Sequence, residues 1–357
     1  RKMYWFLQQK QLDQLQSIDS KKPTIGSNHF PETGYYIMRE GWNEKDKMMI
    51  VSAGLDADKP DHQHGDMLGI QAMANGKVIL PNYQVRYPLK DFYWFKNSMV
   101  KNVALVDDEL QGKQWTSNKG GSGFGKFKEL PQPKVISWTS DNWIDCFVGS
   151  HDGFSNIGVD YSRQVIYLKD DFWIVKDNFK SEDTHTYKQV WQGHYTDENG
   201  ANLLRSSFDN GSGCDILQLE SVDAVVQSGK RGKQWSVVEK EGQTNFSFIT
   251  VVYPFEEYNN RIDEEADNPT LGDWKLNDLP FEWQGNYSLS NKEEAVLFGV
   301  NAVEIEGIQL QFSAATDVFV SWKEGERKLQ LIGVDEVKVN IGGGKDKILK
   351  SGENIDF

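Results

Sequence analysis

The stretch MLGIQAMANGKVILPN, residues 67–82, decides the fold class of this chain. Its two halves, MLGIQAMA and KVILPN, have the length and apolar content of β-strands, and Asn75 and Gly76 lie between them. An Asn-Gly pair supplies the two positive φ angles of a type I′ turn, which joins neighbouring antiparallel strands. The stretch therefore predicts a β-hairpin.

Segments of the same kind recur on both sides of this hairpin. Turn residues separate them, and a helical pattern is confined to about residues 1–18. Strands that follow one another without intervening helices predict a mostly β protein, a large antiparallel β-sandwich with a short N-terminal helix. The predicted strands are 35–40, 47–54, 67–74, 77–82, 103–108, 164–170, 171–179, 184–195, 215–222, 246–255, 295–300, 308–314, 318–325, 328–334 and 336–342.

Three regions are expected along the 357 residues. Residues 1–21 form the helix and a linker, and residues 22–260 form the main sandwich. The acidic stretch at 261–273 separates the sandwich from further strands, so residues 261–357 either complete the sandwich or form a small C-terminal β-domain.

The overall charge limits the partners. The formal net charge is −14, which argues against a nucleic-acid backbone as ligand, although a local basic cleft remains compatible with an anionic substrate. No stretch approaches the roughly 20 apolar residues of a membrane span. Cys146 and Cys214 are too few to form a disulfide framework.

The hexapeptide DHQHGD, residues 61–66, is the strongest candidate for a functional motif. On a strand, His62, His64 and Asp66 would project from one face. Three interpretations stay open: a hydrogen-bonded polar rim, an H-x-H metal site, or catalytic imidazoles. A cupin-like metal site is a poorer match, because that motif needs a glutamate shortly after the histidines and none occurs before Glu109.

The wider pattern resembles a known family. DHQHGDMLGIQAMANGKVILPNYQVRY (61–87), NSMVKNVALVDDELQ (97–111), SRQVIYLKDDFWIVKDNF (162–179) and YKQVWQGHY (187–195) follow in the order found in heparinase II/III-like polysaccharide lyases. The resemblance covers roughly residues 30–200 and concerns the C-terminal β-sandwich of that family, which follows an α/α toroid. It implies that His62 faces the cleft between toroid and sandwich and takes part in catalysis.

The resemblance also implies a degenerate zinc site. In several members the second histidine, here His64, binds a structural zinc together with an Asp after the hairpin and a His before the Val-Asp segment, and these two positions hold Asn82 and Lys101 here. A lysine ammonium repels a cation, so we expect no zinc and no other cofactor, with Lys101 replacing the charge of the metal.

The implied reaction is β-elimination in a uronate-containing glycan, which needs a group that neutralises the carboxylate, a base and an acid. Histidine can serve as the base or as the neutralising donor, and Arg86 could clamp the carboxylate. Asp66 is expected to orient an imidazole on the same face, with Asp61 a weaker candidate. Tyr83 is a candidate sugar-stacking or supporting residue, although buried aromatics more often belong to a core.

Two functions from different classes follow. The first is the sandwich of a lyase whose toroid is not part of this chain, with residues 1–21 as the toroid's closing helix and an acidic polysaccharide as substrate; the isolated chain would then be inactive. The second is a non-catalytic carbohydrate-binding or scaffold β-sandwich. The resemblance implies a periplasmic or extracellular location.

Overall fold

The computed structural model of the protein is mostly β, and each pair of strands among the described residues is antiparallel, which confirms the predicted fold class. The predicted hairpin is present, with Asn75 at φ 54° and Gly76 at φ 75°. In the described part of the chain, no helix is long and apolar enough to span a bilayer. The structure describes residues 7–19, 21–55, 63–83, 91–117, 125–195, 202–257, 271–344 and 346–357.

The first sheet has five strands in sequence order and includes the predicted hairpin. Its strands are β1 (Asn28–Phe30), β2 (Tyr35–Arg39), β3 (Met48–Ser52), β4 (Gly69–Ala74) and β5 (Lys77–Leu80).

The second, central sheet is built around two long strands, β12 and β16, of 21 and 23 residues. The sequence predicts two separate strands over 171–195, whereas the structure has one continuous strand whose register shifts near His185. The sheet order is β13-β14-β16-β12-β11-β10-β9, with β15 paired to β16 and β6 to β12. Its strands are β6 (Ala104–Val106), β9 (Pro133–Ser140), β10 (Ile144–His151), β11 (Asp160–Leu168), β12 (Trp173–Gly193), β13 (Leu203–Ser207), β14 (Gly213–Gln218), β15 (Ala224–Lys230) and β16 (Lys233–Phe255). A separate two-stranded sheet pairs β7 (Thr116–Ser117) with β8 (Gly125–Lys126).

The third sheet contains the described strands of the C-terminal region. The predicted strands 308–314 and 318–325 are one strand here, β21, paired along most of its length with β20. The strands are β17 (Lys275–Leu276), β18 (Trp283–Gln284), β19 (Tyr287–Ser290), β20 (Glu294–Ile305), β21 (Ile308–Ser321), β22 (Lys328–Leu331), β23 (Val337–Ile341), β24 (Asp346–Leu349) and β25 (Asn354–Asp356).

Buried apolar side chains lie on both faces of the central sheet. Tyr36 of β2 and Trp173 of β12 share one core between the first and central sheets. Ile174, which points to the opposite face of β12, shares a second core with Val296 and Phe319 of the third sheet. Successive residues of a strand face opposite sides of a sheet, so the apolar runs of the central strands bury side chains on both faces. Another sheet packs against each face of the central sheet. The C-terminal strands thus form their own sheet and share a core with the central one.

The sequence analysis expected helix only near the N-terminus, but the structure has a second helix. Helix α1 (Gln9–Gln16) lies within the predicted segment, and a second short helix, α2 (Phe92–Lys96), precedes a 3₁₀ turn at Ser98–Val100. Five residues are too few for helical periodicity to be visible in a sequence. Tyr83, Phe95, Val100, Val190 and Trp235 belong to a small core that packs this region against β12 and β16.

Candidate active site

Three loops meet at one end of the first sheet and bring four predicted side chains together. His64 and Asp66 precede β4, Asn82 follows β5, and Lys101 follows the 3₁₀ turn and precedes β6. Lys101 Nζ lies 3.2 Å from His64 Nδ1 and donates a hydrogen bond to Asn82 Oδ1. Asn82 Nδ2 donates to Asp66 Oδ2 at 3.0 Å. The four side chains form a connected polar cluster.

Lys101 lies at the centre of this cluster. Its side chain is 1% exposed. The pKa of its ammonium falls from 10.5 to about 8, mainly because of burial. Asp66 raises this pKa, and Lys233 also lowers it. Lys101 is therefore mostly an ammonium at neutral pH, and an ammonium donates hydrogen bonds and has no lone pair for a metal.

The described residues do not supply the ligands of the zinc site that several members of the resembled family have. Among them, no group of three or more His, Cys, Asp or Glu side chains is arranged to hold a metal ion. Beside His64 lie the amide of Asn82 and the ammonium of Lys101, where the zinc site of the family has a carboxylate and a second imidazole.

His64 is held as a neutral imidazole. The pKa of its imidazole falls from 6.5 to about 4, mainly because of burial. Lys101 and Lys96 also lower this pKa, and Asp66 raises it. Since the Lys101 ammonium can only donate, His64 Nδ1 accepts, which leaves the proton on Nε2. The side chain is 26% exposed, so Nε2–H is available as a hydrogen-bond donor. With this pKa His64 is a poor proton acceptor at neutral pH.

Asp66 does not hydrogen-bond to the imidazole of His64, and its orienting role toward His62, which lies outside the described residues, stays a prediction. The His64 Nδ1–Asp66 Oδ2 distance is 3.9 Å, too long for a hydrogen bond, and Lys101 lies nearer. The premise of a common strand face is also wrong for the described part of the motif, because β4 begins only at Gly69. Residues 66–69 form a turn in which Leu68 has a φ of 56°, and Asp66 O accepts from Gly69 N.

Two buried side chains, Gln111 and Arg163, hold this turn by hydrogen bonds to its main chain. Gln111 accepts from Met67 N at 2.7 Å and donates to Met67 O at 3.1 Å. Arg163 Nη1 donates to Leu68 O at 2.8 Å and to Asn102 O at 2.9 Å, so one guanidinium joins the loops before β4 and β6. These contacts fix the position of the histidine loop.

Arg163 is itself fixed by a buried carboxylate. Its Nε and Nη2 donate to the two oxygens of Asp177 at 2.7 and 2.9 Å, and both residues are at most 1% exposed. Tyr161 and Gln189 also donate to Asp177 at 2.7 Å. Asp177 is the main cause that raises the pKa of Arg163 against the effect of burial. A bidentate pair with further donors is rigid, and loss of one partner would leave a buried charge.

Gly65 packs the motif against helix α2. Its N–H donates to Lys96 O at 2.9 Å. A Cβ at this position would lie 2.6 Å from Asn97 Oδ1 and 3.1 Å from Ser98 N. A glycine is therefore required between His64 and Asp66 for steric reasons.

Tyr83 has the contacts of a supporting residue. It is 9% exposed, and its single O–H has two main-chain acceptors within reach, Gln234 O at 2.9 Å and Gly193 O at 3.1 Å, while its oxygen accepts from Gln234 N. Burial raises the pKa of the phenol. The residue joins the loop after β5 to the start of β16.

Three predicted site residues, His62, Asp61 and Arg86, lie outside the described residues. Their predicted roles remain predictions.

The sequence analysis missed two lysines beside the cluster. Lys96 is 2% exposed, donates to Gly125 O at 3.1 Å and lies within 6.0 Å of three aromatic ring centroids. Lys233 Nζ lies 4.9 Å from the ring centroids of Tyr83 and Phe95. Lys96 carries no local signal, whereas Lys233 belongs to the sequence KRGK (230–233), whose concentration of charge in an acidic chain was a visible signal.

The chain matches one protein-family model and is similar in fold to solved structures. The family model described as heparinase II/III-like, C-terminal, matches residues 22–267. Heparan sulfate lyase HepC from Pedobacter heparinus is similar over 98% of this chain and 46% of its own, with a TM-score of 0.54 and 13% identity. A heparinase III structure is similar over 95% of this chain and 44% of its own, with a TM-score of 0.57 and 15% identity.

The chain therefore spans less than half the length of these solved structures. At these identities the structural likeness concerns the fold alone. None of the curated proteins with which the sequence was compared matches it.

Proposed function

The chain belongs to the heparinase II/III-like family, and from this membership we propose that it is the β-sandwich part of a polysaccharide lyase that cleaves uronate-containing glycans by β-elimination. In this reaction a base removes the C5 proton, the C4–O4 bond breaks, and an acid protonates the departing O4. A C4–C5 double bond remains. Neutralisation of the uronate carboxylate makes the C5 proton acidic enough to leave.

The observation that carries this proposal is the neutral, oriented His64 next to a buried ammonium. The ammonium of Lys101 fixes the tautomer of His64, which leaves Nε2–H as a donor on a side chain that is 26% exposed. Such a donor suits a carboxylate whose charge must be neutralised, because a preorganised hydrogen bond costs no rearrangement during the reaction.

Lys101 contributes charge as well as orientation. A cation close to a carboxylate stabilises the additional negative charge that develops when C5 loses its proton. We propose that Lys101 supplies this positive charge at the place where the resemblance implies a structural zinc, and that Asp66 offsets part of its charge. Asn82 connects the two through its amide group.

His62 is the proposed catalytic residue of the chain. His64 is a poor base at neutral pH, so proton exchange at C5 or O4 falls to another group, and His62 lies two residues before it. An imidazole with an unperturbed pKa near 6.5 exchanges protons readily at neutral pH. Arg86 is the proposed clamp on the substrate carboxylate, and Tyr83 supports the loop that leads to it.

We propose that an α/α toroid of the same protein completes the active site. The support is that the chain spans only 44–46% of the lyase structures it resembles, and that elimination needs groups on both sides of the substrate. A periplasmic or extracellular location, where acidic polysaccharides are met, belongs to the same proposal.

One observation favours the second function, a non-catalytic carbohydrate-binding sandwich. Within the described residues of the cluster, His64 has a pKa of about 4, which makes it a poor base at neutral pH, and Lys101 is 1% exposed with its ammonium already hydrogen-bonded to Asn82. If His62 does not exchange a proton, the same cluster would serve to bind an anionic glycan.

The test uses the complete protein that contains this chain and a panel of uronate polysaccharides, with a neutral glucan as the control. Absorbance of the unsaturated uronate product measures elimination. The lyase proposal predicts product from at least one uronate polymer, none from the glucan, and none with the 357-residue chain alone. Failure of the complete protein on the whole panel, combined with retained binding, would leave the binding function instead.

A further inference from the structure

The turn between β15 and β16 concentrates positive charge beside the candidate site. It reads Lys230-Arg231-Gly232-Lys233, in a chain whose net charge is −14. Lys230 and Lys233 are directly opposite each other in the strand pair, and Arg231 and Gly232 close the turn with φ angles of 56° and 71°. The side chain of Lys230 is 49% exposed and that of Arg231 30%.

Two features of this turn are unfavourable for the hairpin alone. Like charges opposite each other on neighbouring strands repel. A positive φ at a residue with a Cβ is strained, and asparagine or glycine is preferred there over arginine. Choices that oppose local stability are expected where a residue serves a ligand.

The turn is attached to the candidate site on two sides. Gln234, next to Lys233, exchanges main-chain hydrogen bonds with the Tyr83 hydroxyl. Arg231 Nε lies 2.9 Å from Asp91 Oδ2, and Asp91 directly precedes helix α2, whose last residue accepts from Gly65 N. These contacts fix the turn to the loop after β5 and to helix α2, and Lys233 is close enough to Lys101 to lower the pKa of its ammonium.

Two cations of this turn form ion pairs with one and the same carboxylate. Asp91 is shared by Arg231 and, at 3.9 Å, by Lys230. The turn adds three cations, Lys230, Arg231 and Lys233, to the lysines Lys96 and Lys101 of the site, whose carboxylate is Asp66. A local excess of positive charge on an acidic protein attracts anions, and clustered positions attract a polyanion more than a single charge.

We propose that Lys230, Arg231 and Lys233 form an anion-binding rim that holds a charged group of a glycan residue next to the one bound at His64. The inference rests on the proposed function, since it takes the ligand to be an anionic glycan. Carboxylates and sulfates share the chemistry that the rim recognises, and Arg231 offers the planar donor pair that suits both. The anion also relieves the repulsion between the two lysines.

Calorimetric titration of the 357-residue chain with hexasaccharides measures this binding. The probes are an unsulfated polyuronate, a sulfated uronate glycan and a neutral glucan. The variant Lys230→Gln/Arg231→Asn removes two charges and places asparagine where a positive φ is needed. Lys230→Gln alone keeps the Arg231–Asp91 pair, which guards against a change in the turn itself. Lys275→Gln/Lys338→Gln is the matched control, because both lysines are exposed, 69% and 54%, and lie in surface ion pairs of the third sheet.

The rim predicts that the double variant binds an anionic hexasaccharide about 10-fold more weakly than the wild type, and Lys230→Gln about 3-fold, as expected for exposed ion pairs. The loss should shrink with added salt. A larger loss with the sulfated probe identifies sulfate as the preferred group, and an equal loss identifies carboxylate. Unchanged affinity in the double variant, an equal loss with the glucan or in the control, or no binding of either anionic probe would overturn the rim. Elimination by the complete protein is measured separately, so that either idea can fail without the other.

Discussion

Replacement of Lys101 by methionine removes the central charge of the candidate site at nearly constant side-chain volume. Lys101 is 1% exposed and its ammonium donates to Asn82 and lies 3.2 Å from His64 Nδ1. The cost of burying this charge is visible in its pKa, which falls from 10.5 to about 8 mainly because burial removes water from the ammonium.

This lowered pKa has a definite consequence for stability. The folded protein loses the Lys101 proton at a lower pH than the unfolded chain, so between about pH 8 and 10.5 the unfolded chain binds more protons. The free energy of unfolding then rises with pH through this range. A change of one pKa unit corresponds to about 1.4 kcal/mol, so the full effect of Lys101 is about 3 kcal/mol.

Urea unfolding at about pH 7 and pH 10.5 measures this contribution in the wild type, in Lys101→Met and in Lys275→Met. Lys275 is 69% exposed, so its replacement should leave the pH dependence of the wild type unchanged. Other groups that titrate in this range, such as tyrosines, are common to the three proteins and cancel in the differences. Relative to Lys101→Met, the wild type should gain about 3 kcal/mol on going to pH 10.5. Parallel curves for these two proteins would refute the reasoning.

Three further predictions concern the same cluster. The variant Asn82→Asp/Lys101→His restores a carboxylate and an imidazole beside His64, and elemental analysis should find about one zinc per chain in it and almost none in the wild type; equal zinc in both would be the contrary result. Gly65→Ala should lower the free energy of unfolding by about 1–3 kcal/mol, because its Cβ would lie 2.6 Å from a side-chain oxygen, whereas Gly26→Ala, with nothing within 4 Å, should change little in the same urea titration. Because the pKa of His64 is lowered to about 4, the wild type should lose about 3 kcal/mol more than His64→Gln as pH falls from 6.5 to 4, and an equal loss in the two proteins would contradict this assignment.

The sequence predicts the fold because local signals and the fold agree over most of the chain. Asn75 and Gly76 form the expected turn, and alternating apolar residues lie in strands. The joined strand β12 was missed because residues 180–186 are polar and cross an irregular pairing, which resembles a loop in sequence. Helix α2 was missed because it is shorter than two helical turns.

The candidate site was predictable only in part. Residue types and the family resemblance selected His64, Asn82 and Lys101, and the structure brings these side chains together. Their geometry was not predictable, since H-x-H suggests a strand face and the turn at Leu68 depends on Arg163, about a hundred residues away. Contacts between residues so distant in sequence leave no local pattern, and the same holds for Lys96.

The central claim is that this family member eliminates uronate glycans with His62 as a proton-exchanging group. The most direct measurement is the turnover of the complete protein on its best uronate polymer, compared between the wild type, His62→Ala and His194→Ala. His194 is exposed and outside the cluster, so it controls for the loss of a histidine. The account predicts that His62→Ala lowers turnover by about 10²-fold or more while His194→Ala retains it, as is typical when a general acid or base is removed. Full turnover in His62→Ala would contradict it.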